Sequence, residues 1–200
     1  MDELIWVDDN DNIIGYGEKS YTHRIGQLHR AFSVCICDLS AQTMLLQKRA
    51  GNKYHSATLW SNSCCSHFTK TSEPVVTQIK NSIVRELGVN ASFNDVRTAD
   101  IADTIYDKTE ALIELGRFQY RCRLGKLYEN EIDTVYLWGV EEKNFETSPC
   151  SDEVEEVKWA TFKEIETDLC HSSEKYSFWF PKVFEIVKNY ILLLKKYAEK

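Results

Sequence analysis

The sequence predicts a single-domain α/β (α+β) fold in which a mixed β-sheet is sandwiched between helices. The chain has 200 residues, of which 43% are hydrophobic, and this is enough to form one sizeable core. Strand-like stretches stand before, between and after isolated helical stretches, a pattern typical of a sheet with helices packed on it. Only three prolines occur, with no low-complexity linker and no repeat. We therefore expect one domain over residues 1–200.

Two strand pairs are predicted in the first fifty residues. The stretch LIWVDDNDNIIGYG contains two short strands around an Asp/Asn turn, and we expect residues 1–30 to form an extension packed on the domain. The stretch HRAFSVCICDLSAQTMLLQKR predicts a hairpin with its turn at Leu39 to Gln42. Further along the chain, strands are predicted in GRFQYRCRL and ENEIDTVYLWGV.

Two helices are predicted from hydrophobic periodicity. In EPVVTQIKNSIVRELG, apolar residues recur at helical spacing before a glycine, at Val76, Ile79, Ile83 and Leu87. Glu86 lies beside this apolar face. The stretch SFWFPKVFEIVKNYILLLKKY predicts a C-terminal amphipathic helix that starts near Pro181.

Charge and composition exclude several function classes. A net charge of −7 without a long basic run argues against a nucleic-acid partner, although a local basic pocket for a small anion stays open. No apolar stretch approaches the roughly 20 residues of a spanning helix, and no cleavable leader is present, so we expect a cytoplasmic protein without membrane insertion. The odd number of cysteines argues for reduced thiols, at positions 35, 37, 64, 65, 122, 150 and 170. The expected partner is a small molecule.

Two short segments contain residues typical of chemistry at a site. SNSCCSHF places two cysteines just before His67. Such cysteines could form one side of a disulfide bond, bind a metal or act as a nucleophile, and the composition favours free thiols. In YENEID, Glu129 and Glu131 share one strand face, which continues into apolar residues. Buried carboxylates need a cation or hydrogen-bond partners, whereas a solvated strand end would need neither. His23 and His29, near predicted strand edges or loops, could join them and His67 on one divalent cation. A single histidine is more often structural, so spacing alone leaves both alternatives open.

Several segments, in order and at similar spacing, resemble the type I isopentenyl diphosphate isomerases, whose fold is Nudix-like. These segments are EKSYTHRIGQLHRAFSVCI, LLQKRAGNKYHSATLWSNSCCSHF, RELGV, FQYR, YENEID, SDEVEEVKW and YSFWF. The resemblance runs from about Glu18 to the C-terminal helix, and NSCCSH and ENEID are its most specific parts. It implies an isomerase of isoprenoid biosynthesis that interconverts isopentenyl diphosphate and dimethylallyl diphosphate by metal-dependent protonation and deprotonation.

The resemblance also implies the acid/base groups. Cys65 matches the family's catalytic cysteine, and Cys64 is then a neighbour without a chemical role. Glu131 resembles the second acid/base group, assisted by Tyr120, and Trp179 resembles the aromatic residue over the reacting hydrocarbon. Two such groups suit a double-bond shift, because one proton is added and another is removed from the opposite side. The alternative for Cys65 is a small buried hydrophobe, and for Trp179 it is core packing.

Metal and substrate ligands follow from the same resemblance. One divalent ion, zinc, manganese or magnesium, would be held by His23, His29, His67, Glu129 and Glu131. The substrate diphosphate would be held by Lys19, Arg49 and Lys53, since ammonium and guanidinium groups suit phosphate oxygens. Glu86 would bind a magnesium ion that arrives with the diphosphate. The alternatives are solvated surface charges and, for Glu86, an exposed place in the last helical turn.

The chain departs from its relatives in three places, and two other functions stay open. QIKNSIVRELG keeps Glu86 and Gly88 but lacks most acidic positions of the hydrolytic Nudix signature, which speaks against diphosphate hydrolysis. The segment between Val89 and Phe118 is longer than usual, and SATLW replaces a common Pro-Gly. The alternatives are a Nudix-type diphosphate hydrolase and a catalytically silent Nudix-fold interaction protein. The expected assembly is a monomer or weak dimer.

Overall fold

A computed structural model describes residues 3–99 and 111–198. Its strands are β1 (Glu3–Val7), β2 (Ile13–Glu18), β3 (His29–Asp38), β4 (Thr43–Arg49), β5 (Trp60–Ser61), β6 (Cys64–His67), β7 (Asp95–Thr98), β8 (Ala111–Leu124), β9 (Leu127–Gly139) and β10 (Val154–Thr161). Its α-helices are α1 (Lys19–Ile25), α2 (Val75–Leu87), α3 (Phe162–His171) and α4 (Phe180–Ala198). Short 3-10 turns lie at Glu142–Asn144 and Ser173–Lys175. The longer segment noted between Val89 and Phe118 falls partly on residues 100–110, which lie outside the described residues.

The strands form one mixed sheet in the order β10-β4-β3-β9-β8-β7. Of the shorter strands, β1 and β6 pair with β3, β5 pairs with β4, and β2 pairs with β1. β3 and β9 are parallel along nine residue pairs, whereas β8 and β9 form a long antiparallel pair. One edge of β3 is shared by three partners, of which β1 pairs only at Trp6↔His29. β4 pairs with its end at Asp38↔Thr43, and β6 pairs with its beginning from Ala31↔His67 to Val34↔Cys64. This sharing places the Cys-Cys-Ser-His segment in the middle of the sheet.

Helices cover both faces of the sheet. On one face, α4 packs its Val183 and Val187 against Val135 and Leu137 of β9. On the other face, α2 packs its Ile79 and Ile83 against residues of β3. Burial of a Val, Leu or Ile side chain contributes about 1.5–3 kcal/mol, so these two apolar layers hold the helices on the sheet. The predicted mixed sheet between helices is confirmed.

The regular elements with strong sequence patterns lie where they were predicted. The β1–β2 and β3–β4 hairpins, α2, β8, β9 and α4 are all present. α2 ends at Gly88, whose φ of 67° is in the left-handed region that glycine adopts most easily. Within the described chain, no helix is long and apolar enough to cross a membrane.

The sequence patterns missed two helices and four strands, namely α1, α3, β5, β6, β7 and β10. α1 has only seven residues, too few to show periodicity, and it is capped by the Glu18 side chain, which accepts from the Ser20 and Tyr21 amides. The sequence does contain a signal for the start of α3. Thr161 and Glu164 form a capping box, in which each side chain forms a hydrogen bond with the other residue's backbone amide.

Candidate active site

Strand register brings the predicted site residues together on the face covered by α4. In the sheet, Glu131 of β9 is flanked by His29 of β3 on one side and by Tyr120 of β8 on the other. His67 of β6 pairs with Ala31, two residues along β3 from His29. Side chains two residues apart on a strand share a face, so these groups converge although they are distant in sequence.

Five ligand atoms form a compact cluster. One nitrogen or oxygen from each of five residues lies within 4.8 Å of all the others, namely His23, His29, His67, Glu129 and Glu131. Imidazole and carboxylate together are a donor set that suits zinc, manganese and similar divalent ions. The convergence expected from the sequence is present, and the cluster could hold a metal ion.

Hydrogen bonds to the backbone set the tautomers of two of these histidines. The Nδ1 atoms of His23 and His29 lie 2.7 and 2.8 Å from the carbonyl oxygens of Lys19 and Gln27, respectively. A carbonyl accepts only, so each Nδ1 donates its proton, and in the neutral form of each ring the lone pair lies on Nε2. Both Nε2 atoms and Glu129 Oε1 are buried without a hydrogen-bond partner in the described chain. Buried polar atoms normally have partners, so these three fit a cation placed between them.

The location of His23 corrects one expectation. We expected His23 near a strand edge or loop, but it lies in α1, fully buried. α1 ends at Gly26, which has φ of 69° and passes so close to Tyr128 that an added Cβ would lie 3.1 Å from its Cβ. The end of α1 therefore packs directly against Tyr128 of β9, and this contact helps to position the His23 ring.

Glu131 is ionised in this surrounding. Burial alone would raise its pKa, but contacts from His29 and His67 outweigh burial and hold the pKa of Glu131 well below its usual range. Tyr120 donates its hydroxyl proton to Glu131 Oε2 at 2.6 Å, and burial raises the pKa of Tyr120 so that it keeps this proton.

Asp133, the next residue on the same face, was not among the expected site residues. Burial, and then the charge of Glu131, raise the pKa of Asp133 well above its usual range.

The two adjacent cysteines face opposite sides of the sheet. Cys65 is half-buried on the site face, and Arg49 Nη1 lies 3.7 Å from its sulfur. Burial raises the pKa of the Cys65 thiol to about 12, although the charge of Arg49 opposes that rise, so the thiol holds its proton at neutral pH. Cys64 is fully buried among the apolar side chains under α2. Only Cys65 can therefore meet a ligand at the site.

Trp179 is buried next to the cluster of histidines and carboxylates. Its indole Nε1 donates to Asn62 Oδ1 at 3.2 Å, and 4% of its surface is exposed. Its ring centroid lies 6.4 Å from that of Tyr120, and the Arg49 guanidinium carbon lies 5.4 Å from the ring centroid. The aromatic ring thus packs in the core and also lines the site.

Two cavities meet at Cys65. The larger has a volume of about 280 Å³ and contains four basic side chains, those of Lys19, Arg49, Lys53 and Arg85. The smaller, about 40 Å³, is lined by groups that include Cys65, Tyr120, Glu131 and Trp179. The two cavities share four lining residues, namely Arg49, Cys65, Ser66 and His67. A basic cavity thus adjoins a small cavity lined by acid/base and aromatic groups.

Glu86 lies in the basic cavity and is not exposed. Its side chain accepts from Gln47 Nε2 at 3.0 Å, and Arg85 Nη2 lies 3.5 Å from its other oxygen. The exposed alternative for this residue is therefore wrong. Burial lowers the pKa of Lys19 in the same cavity, and Lys53 pairs with Glu153 at its edge.

Sequence reasoning missed four groups at the site. Arg85 and Glu153 line the basic cavity, Asp133 continues the row of carboxylates, and His55 contacts Glu129. The two-residue period of ENEID was a signal for Asp133. Arg85 lies in the predicted helix α2, next to Glu86. His55 lies in a loop and Glu153 in the turn before β10, where no periodic pattern places a side chain.

Comparisons with known proteins concern the chain as a whole. No family model matches the chain. It is 37% identical to isopentenyl-diphosphate Delta-isomerase 1 of Aromatoleum aromaticum over 179 residues, which is 89% of this chain and 88% of that protein. It is 34% identical to the isopentenyl-diphosphate Delta-isomerase of Serratia proteamaculans, over 90% of this chain and 88% of that one.

Solved structures show the fold. A protein from Deinococcus radiodurans superposes with a TM-score of 0.61 at 12% identity, over 85% of this chain and 90% of that one. A MutT Nudix hydrolase from Burkholderia pseudomallei superposes with a TM-score of 0.55 at 18% identity, over 80% and 98% of the two chains. The fold is therefore Nudix-like, as the sequence predicted.

Proposed function

This chain belongs to the isopentenyl-diphosphate Delta-isomerase family, and from that premise we propose that its site interconverts isopentenyl diphosphate and dimethylallyl diphosphate. The observation that supports this most directly is the position of Cys65. Its sulfur lies where the basic cavity meets the cavity that contains Glu131, so one bound molecule can place its diphosphate among cations and its alkene between two acid/base groups.

The reaction needs a proton on one carbon and the loss of a proton from another. A proton adds to the terminal alkene carbon, and the positive charge develops on the branched carbon. A second proton then leaves the neighbouring carbon on the diphosphate side, and its bonding electrons form the new double bond. Cys65 holds a proton and Glu131 is ionised, so the pair supplies one donor and one acceptor. Their roles exchange in the reverse direction.

The basic cavity suits the diphosphate group. Lys19, Arg49 and Lys53 present an ammonium, a planar guanidinium and a second ammonium around one space, and such groups bind phosphate oxygens strongly. We propose that Glu86 binds a magnesium ion that accompanies the diphosphate, because it is a buried carboxylate within this otherwise basic space. The finding that Arg85 adjoins both Glu86 and Glu153 adds a fourth cation to the cavity.

The clustered histidines and carboxylates would hold one divalent ion, zinc, manganese or magnesium. When bound, such an ion supplies positive charge that stabilises ionised carboxylates and polarises oxygen ligands. His23 and His29 are prepared for this role, since their Nε2 lone pairs are free and their rings are fixed. Tyr120 holds Glu131 from the opposite side.

Diphosphate hydrolysis is the less favoured function. α2 occupies the place where a Nudix hydrolase needs several carboxylates, yet the helix Val75–Leu87 contains a single acidic residue, Glu86. Hydrolysis also makes no use of a protonated thiol at the cavity wall. Incubation of the purified protein with isopentenyl diphosphate should yield dimethylallyl diphosphate, while phosphate and diphosphate release stays at background. Release of phosphate without the isomer would favour the hydrolase instead.

Replacement of Trp179 by alanine should slow the chemical step by at least roughly thirtyfold. Protonation of the alkene places positive charge on a tertiary carbon, and an aromatic face stabilises a desolvated cation by about 2 kcal/mol, with each ~1.36 kcal/mol worth tenfold in rate. Because this charge exists only near the transition state, kcat should fall more than KM rises. Trp179→Phe should recover part of the loss in steady-state assays.

Core packing is the competing explanation for Trp179. An alanine variant with unchanged kcat, or with a higher KM alone, would show that the ring only shapes the pocket. Tyr197, an exposed aromatic residue in α4, provides a matched control, because Tyr197→Ala removes a ring far from the site and should leave kcat unchanged.

A further inference from the structure

We propose that His55 is a positioning residue that holds the Glu129 carboxylate at the metal cluster, an inference that rests on the proposed metal site. His55 is outside the five clustered ligands, yet its Nε2 lies 2.6 Å from Glu129 Oε1. This is closer than the approach of His23, whose Nε2 lies 3.5 Å from the same oxygen. His55 is therefore the nearest polar neighbour of a carboxylate that would bind the ion.

Both members of this pair are shielded from solvent. The side chains of His55 and Glu129 are 6% and 2% exposed. In such surroundings a carboxylate oxygen without a partner is costly, and the attraction of a neighbouring donor is strong. Within the described residues Oε1 has no assigned hydrogen bond, and of its two contacts with imidazole nitrogens the one from His55 Nε2 is the shorter.

The surroundings of His55 favour a proton on Nε2. The Ser56 hydroxyl lies 3.3 Å from Nδ1 and can donate to it. A ring whose Nδ1 accepts from Ser56 carries a proton on Nε2, the atom that faces Glu129. Outer partners of this kind fix the orientation of metal-binding groups in many proteins.

The loop that carries His55 is fastened at both ends and bends sharply after it. Arg49 Nη2 lies 3.5 Å from the His55 carbonyl oxygen, and the Thr58 amide donates to the Arg49 carbonyl at 3.0 Å. Ser56 and Thr58 have φ of 48° and 63°, a region that residues other than glycine rarely adopt. The same loop contains Lys53, so it joins the basic cavity to the metal cluster.

The competing role for His55 is ring packing. Its ring lies 4.5 Å from Tyr54 and 6.2 Å from Trp179, measured between centroids. Two substitutions separate the roles. His55→Phe keeps an aromatic ring without a donor, whereas His55→Gln keeps an N–H donor without a ring.

The test is the dissociation constant for Zn²⁺, measured by competition with a chromophoric chelator on the metal-free full chain, with circular dichroism to confirm folding. We expect His55→Phe to weaken Zn²⁺ binding by about 10–100-fold and His55→Gln to remain within a few-fold of the wild type. His171→Gln, a change at an exposed histidine in α3, is the matched control and should not alter the constant.

The outcomes separate this inference from the function on which it rests. Wild-type Zn²⁺ affinity in His55→Phe, or a loss in His55→Gln alone, would overturn the positioning role and leave the five-ligand site intact. A wild-type protein that binds no Zn²⁺ would overturn both. Isomerase activity of the wild type is measured separately, so a failure of the reaction does not decide the role of His55.

Discussion

Replacement of Cys65 by alanine is expected to reduce kcat for isomerisation by about 10²–10⁴-fold, the usual contribution of an acid/base group. In the proposed reaction the thiol is the proton-holding member of the pair, and Cys65 lines both cavities. The adjacent thiol of Cys64 cannot replace it, because strand geometry turns Cys64 into the apolar layer under α2. The measurement is the rate of dimethylallyl diphosphate formation at saturating substrate.

Cys64→Ala is the matched control for this prediction. It alters the adjacent residue on the same strand and should leave kcat nearly unchanged, although it can lower stability because Cys64 is fully buried. Thermal unfolding of both variants separates misfolding from lost chemistry. Equal activity in the two single variants would refute the role of Cys65.

Removal of the bound metal should abolish isomerisation, and His67→Ala or Glu129→Gln should lower the metal content of the purified protein. Among the residues that the structure describes, two imidazole nitrogens and one carboxylate oxygen of the cluster are buried without hydrogen-bond partners, which a bound cation would satisfy. Outer or direct ligand changes typically cost 10-fold or more in affinity, here roughly 10–100-fold. Metal content by mass spectrometry and the rate after chelation are the two readouts.

Acid should act in the same direction as the chelator. Imidazole and carboxylate bind metal only when deprotonated, so occupancy should fall as the pH decreases. Glu185→Gln, at an exposed carboxylate in α4 that pairs with Lys182, is the control and should keep the wild-type metal content. Full activity in rigorously metal-free protein would contradict the proposed cluster.

Elements with strong periodicity could be predicted from the sequence, and residues in irregular segments could not. The alternation of ENEID placed Glu129 and Glu131 on one face before Val135 and Leu137, and all four lie on the face covered by α4. The side-chain period of a strand is two whatever the surroundings, so this inference needed no tertiary information.

The residues that sequence reasoning missed depend on tertiary contacts. His55 reaches Glu129 from a loop whose path depends on two left-handed residues, Ser56 and Thr58. His23 was expected at the site, but the helix that carries it was not predicted, since α1 is too short to show a periodic pattern. The resemblance to a known family supplied the convergence of ligands, whereas spacing alone left a solvated strand end as an equal alternative.

The central claim, that this site moves a double bond and does not cleave a diphosphate, is tested most directly by isotope labelling. The purified protein is incubated with isopentenyl diphosphate in deuterated water, and the products are examined by mass spectrometry and assayed for released phosphate. The proton added to the alkene comes from a group that exchanges with solvent, so dimethylallyl diphosphate should carry deuterium on carbon while phosphate and diphosphate stay at background. Rapid release of phosphate or diphosphate with no deuterium on carbon would contradict the claim.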